Sequence, residues 1–123
     1  MGGEKILVID DEENFRHLFF QTLRKAGYQV RTAENGQEAF DLLRKQSFDL
    51  SLIDIKMSPQ DGFSILEKVK HEYPQMKVIM ITAYATPETY SRSQLLGADQ
   101  CLTKPLEITE LKDAIQLALA SSK

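Results

Sequence analysis

The chain has 123 residues, 42% of them hydrophobic and 27% charged, and carries a net charge of -3. That length and balance suit one compact domain with a core about from 5 to 120 and no second unit. There is no basic block for direct nucleic-acid binding, no apolar run near the roughly 20 residues of a membrane span, and no signal-peptide core after Met1-Gly2-Gly3-Glu4-Lys5. Cys101 has no second cysteine to pair with, which fits a reducing cytosol and a cytoplasmic location.

Taken in chain order, the first predicted element is "KILVI" (5–9), a buried strand that runs straight into four acids, Asp10 to Glu13. Carboxylates placed side by side repel one another and resist leaving water, so this arrangement needs either a solvated helix start or a counter-charge. In "ENFRHLFFQTLRKAG", Phe15, Leu18, Phe19 and Leu23 share a helical face and Gly27 offers a cap. "YQVRTA" (28–33) alternates as an edge strand does, and Glu34-Asn35-Gly36 turns into a helix carrying Ala39, Phe40 and Leu43. "LSLID" (50–54) is a second buried strand, ending on Asp54. The next helix lines up Phe63, Leu66 and Val69 and is stopped by Pro74. "KVIMIT" (77–82) is a buried strand ending on Thr82. Thr86 and Pro87 suit the start of a helix over 87–96 whose apolar face is thin, with Tyr90, Leu95 and Leu96 alone, so it is a candidate for movement. "QCLT" (100–103) is a short, weaker strand followed by Lys104, and the last helix carries Ile108, Leu111, Ile115 and Leu119.

Five strands alternating with five helices predict an α/β fold, a doubly wound parallel sheet covered on both faces. Such sheets place ligands beyond the carboxyl ends of their strands. Asp10, Asp11, Asp54, Thr82 and Lys104 all fall at those ends, so one crevice is expected to gather them. Three carboxylates without a comparable basic cluster call for a hard cation, and Mg²⁺ is the natural one. A carboxylate beside a metal, an ammonium and a hydroxyl is equipped for phosphoryl transfer, with Asp54 as nucleophile. Each residue alone has a plainer reading: acids favour a helix start, Lys104 an exposed cation, Thr82 a β-former. For Glu12 and Glu13 that plainer reading is retained, and His17 and His71 are assigned no role.

These motifs together, with "LIDIKM…DG" around Asp54, "ITA" at 81–83, "GAD" at 97–99 and "KP" at 104–105, resemble the receiver domain of bacterial response regulators. The resemblance covers Lys5 to about Ala120. It implies a flavodoxin-like strand order 2-1-3-4-5 and phosphorylation of Asp54 by a histidine kinase or phosphotransfer protein. It also implies Mg²⁺ held by Asp11, Asp54 and the Lys56 carbonyl, with Asp10 acting through water, and phosphoryl oxygens held by Thr82 and Lys104. A cis Lys104–Pro105 bond and an output face over 84–120, serving a partner, an attached effector domain or a homodimer through 87–120, follow from it too. Such a domain catalyses only its own phosphorylation and dephosphorylation. Three positions depart from the family pattern. Cys101 replaces the usual aromatic switch, leaving Tyr84 and Tyr90 as candidate switch groups; "MSPQDG" shifts the usual proline by one; and Lys56 and Tyr84 flank the site where hydrolysis is tuned, predicting slow autodephosphorylation. Rival readings are a flavodoxin, disfavoured by acids where FMN phosphate would sit, an aspartyl phosphatase, disfavoured by Lys56 in place of a second Asp, and a receiver-like module that is never phosphorylated.

Overall fold

The central strands form because their residues are mostly β-branched or aliphatic, and such runs are stable only when both faces are covered. The computed structural model describes residues 3–57 and 61–121, so the Ser58-Pro59-Gln60 departure lies outside the described residues. Its elements alternate: β1 (Lys5–Ile9), α1 (Glu13–Lys25), β2 (Gln29–Ala33), α2 (Gly36–Lys45), β3 (Leu50–Asp54), α3 (Gly62–Glu72), β4 (Lys77–Thr82), α4 (Pro87–Leu95), β5 (Gln100–Thr103) and α5 (Ile108–Ala120). All strand pairs are parallel, in the order β2-β1-β3-β4-β5, as the resemblance implied.

The period-two geometry of a strand divides the core in two. Leu7, Ile9, Ile53, Val78 and Met80 face α2 and α3, meeting Phe40, Leu43, Phe63, Leu66 and Val69. Ile6, Val8, Leu52, Ile79 and Ile81 face α1 and α5, meeting Phe19, Leu23, Leu111 and Ile115. The alternating β2 is indeed an edge strand, and the short β5 is the other edge.

Two apolar assignments need correcting. Leu18 is 45% exposed, because Phe19 and Leu23 carry the buried stripe of α1 and residue 18 is rotated away from it. Ile108 is 46% exposed, because it opens the first turn of α5 while Leu111, Ala114, Ile115 and Ala118 do the packing. The predicted helix ends hold: Gly27 follows α1 with φ of 103°, and Thr86 caps α4 through the Thr89 N–H at 3.1 Å with Pro87 next. The helix α4 is thinner than its sequence suggested. Only Ser93 is buried, and Leu95 is 86% exposed.

Candidate functional site

The crevice sits where the carboxyl ends of β1, β3, β4 and β5 come together. In the register of the sheet, Asp54 pairs with Ile81 and Thr82 pairs with Thr103, so the end of β4 stands between Asp54 and Lys104. Asp10 follows β1 directly and is held from both sides. Its carboxylate accepts the Glu12 N–H at 2.9 Å, and its carbonyl accepts from the Arg16 guanidinium at 2.8 Å. The helix α3 begins tight against Asp54. Gly62 N–H donates to the Ile55 carbonyl, and a Cβ on Gly62 would lie 2.3 Å from the Asp54 carbonyl oxygen, so only glycine fits. Asp61 caps that helix by accepting the Ser64 N–H at 3.0 Å.

Four of the five side chains expected to meet do so, while Thr82 is tied in through its carbonyl, which accepts the Lys104 N–H at 2.8 Å. Lys104 Nζ lies 3.1 Å from Asp10 Oδ2 and 3.5 Å from Asp54 Oδ2, joining groups 94 and 50 residues apart in sequence. Carboxylate oxygens of Asp10, Asp11 and Asp54 all lie within 4.8 Å of one another. Asp10 and Asp54 are buried, whereas Asp11 is exposed at the mouth of the crevice. Thr82 is buried, and its hydroxyl accepts the Tyr84 N–H at 3.0 Å, which leaves its own proton free to donate. The Lys104–Pro105 bond is cis.

The electrostatics explain the acid-rich start of α1. Burial first, and the charge of Asp10 second, push the Asp54 carboxyl up to about 7, with Lys104 pulling in the opposite direction. One ammonium cannot offset three carboxylates. The set is entirely hard oxygen donors, with one open toward solvent, and it fits a small divalent cation.

The crevice, about 400 Å³, is lined by Asp11, Asp54, Lys56 and Lys104, and also by Glu12 and Phe15. The last two were missed as site residues. Glu12 Oε1 approaches Lys104 Nζ to 3.8 Å, and the Phe15 ring centroid lies 3.9 Å from the same atom. The sequence signal for both was hidden, because their partner lies at the far end of the chain. The candidate switch residues stand apart from the crevice floor. Tyr84 is 68% exposed with the Lys56 ammonium 4.9 Å over its ring. Tyr90 on α4 reaches β5, its hydroxyl 2.9 Å from Thr103 Oγ1. Cys101 is half-buried against the α2–α3 side of the core, and burial pushes its thiol up, so it is a poor nucleophile.

Comparison with known proteins agrees with this geometry. Residues 6–116 match the model of the response regulator receiver domain. The chain belongs to that family. The receiver is 38% identical to sporulation initiation phosphotransferase F of Bacillus subtilis, with 94% of each chain covered. It is 34% identical to response regulator protein PilR of Pseudomonas aeruginosa over 97% of its own length, but spans only 27% of PilR. Among solved structures, the response regulator TrrA of Thermotoga maritima, in complex with Mg²⁺ and BeF, superposes with a TM-score of 0.84 at 32% identity, covering 94% of this chain and 98% of that one. As a receiver domain, the chain is a signalling domain of two-component systems, a switch governed by phosphorylation.

Proposed function

We propose that Asp54 is the phosphoacceptor, that Asp10, Asp11, Asp54 and the Lys56 carbonyl hold Mg²⁺, and that Lys104 and Thr82 hold the phosphoryl oxygens. The donor is a histidine kinase or a phosphotransfer protein. The observation that carries this reading is the convergence of one ammonium and three carboxylates on a single crevice at the strand ends. Bound among those carboxylates, Mg²⁺ would offset their mutual repulsion and screen the charge of an incoming phosphoryl group.

The residues then divide the work. Asp54, whose proton affinity is lifted by burial and by the charge of Asp10, would be held ionised beside such a cation and attacks phosphorus with a carboxylate oxygen. The bond from phosphorus to the donor nitrogen breaks, and its electron pair stays on that nitrogen, which leaves as part of a neutral imidazole. Lys104 turns from the carboxylates to a phosphoryl oxygen, and the Thr82 hydroxyl donates its free proton to another. Phosphorylation adds roughly -1.5 to -2 charge units in a buried place. Thr82 drawn inward would release its hold on the Tyr84 N–H and disturb the loop into α4, the helix with the fewest buried residues.

The consequence is a shift in the 84–120 face, seen by a partner, an attached effector domain or a second copy of the chain. Exposed Leu95 and Leu117 on that face support such contacts. No described helix is long and apolar enough to cross a membrane, and the net charge of -3 disfavours direct nucleic-acid binding. The single unpaired cysteine fits a reducing, cytoplasmic setting. The test is intact mass after incubation with acetyl phosphate. One phosphoryl group is expected with Mg²⁺ and none with chelator or in Asp54→Asn. Equal labelling of Asp54→Asn would overturn the assignment.

A further inference from the structure

Phe15 belongs by its sequence pattern to the buried stripe of α1, yet its ring is only half-buried and lines the crevice. It sits at 5.8 Å and 52° to the ring of Phe19, which is buried, so it is backed by the core. Lys104 Nζ stands over the same ring, 3.9 Å from the centroid. Among the described residues, the carboxylates that pair with that ammonium are Asp10, Asp54 and Glu12 at 3.1, 3.5 and 3.8 Å.

These two kinds of neighbour act differently. A carboxylate attracts the ammonium but takes up its N–H bonds and cancels its charge. An aromatic face attracts it through the ring quadrupole, accepts no strong hydrogen bond and leaves the charge intact. When Asp54 carries a phosphoryl group and Asp10 turns to a cation, the two nearer carboxylates release Lys104 and only the more exposed Glu12, at 3.8 Å, remains, while the ring stays where the core has fixed it. We propose that Phe15 is a positioning residue for phosphoryl transfer, its ring holding the Lys104 ammonium over the crevice with its N–H bonds free for the phosphoryl oxygens. This rests on Asp54 being the phosphoacceptor.

The test separates the ring's charge distribution from its bulk. Phenylalanine with one, two or three ring fluorines at position 15 keeps the shape and progressively weakens the quadrupole. The rate of phosphorylation by acetyl phosphate with Mg²⁺ is expected to fall stepwise along that series. In Phe15→Leu it is expected to fall roughly threefold to thirtyfold, the range a desolvated ammonium–ring contact supports. Urea midpoints along the fluorinated series stay level. Independently of activity, the ε-methylene protons of Lys104 are expected to show a ring-current upfield shift that Phe15→Leu abolishes.

A flat fluorination series in a protein that phosphorylates normally would overturn the proposal, as would an unshifted Lys104 ε-methylene. An unsubstituted protein that gains no phosphoryl mass would instead overturn the phosphoacceptor reading, and this role with it.

Discussion

Replacing Asp54 by Asn should stabilise the protein when no divalent cation is present, and the gain should depend on pH. The folded carboxyl titrates near 7 instead of 3.8, so folding binds a proton throughout that window. The folded pKa lies above the unfolded one. The unsubstituted protein therefore loses stability as pH rises from about 4 to about 7 and levels off beyond. At about 1.4 kcal/mol for each tenfold change, the full cost of ionising Asp54 in place is about 4 kcal/mol. The crevice is open to water and Lys104 can adjust, so about 2 kcal/mol is expected to appear, or roughly 5 to 10 °C in Tm for a domain of this size. Urea unfolding of both proteins with chelator at pH 4.5, 6 and 8 measures it. The two should nearly coincide at pH 4.5 and separate by pH 8. Added Mg²⁺ should close the gap by stabilising the unsubstituted protein more strongly. A gain equal at all three pH values would refute the reasoning, because it would come from packing and not from charge; so would no gain at pH 8.

Gly62→Ala should cost about 3 kcal/mol or more in urea unfolding, since its Cβ would meet backbone atoms of Asp54 and Ile55 at 2.3 and 2.7 Å and neither is free to move. Tyr84→Ala removes the ring beneath the Lys56 ammonium at the rim of the site. Its acyl phosphate should hydrolyse roughly two- to fivefold faster, the worth of an exposed cation–ring contact, as followed by loss of phosphoryl mass with time. Tyr90→Phe deletes the hydroxyl that ties α4 to Thr103. About 0.5 to 1 kcal/mol of local stability should go with it, read as faster amide hydrogen exchange confined to α4. Unchanged exchange there would show that the tie does not hold the helix.

The continuous apolar runs at 5–9, 50–54 and 77–82 determined the parallel sheet, because a strand covered on both faces has no polar side to display. Acids and a threonine at the ends of those runs, with a lysine after the short β5, determined the crevice, because strands that all point one way bring their ends to one edge. Both are local patterns multiplied by a topology that admits few alternatives. Phe15 and Leu18 mark where this reading stops. Both are apolar and three residues apart on α1, yet one turns its ring toward Lys104 and the other faces outward. Glu12 likewise reads as an ordinary helix start until Lys104 arrives from the other end of the chain. What a side chain faces is set by elements packed against its own, and those distances, like the lifted proton affinity of Asp54, exist only once the chain has folded.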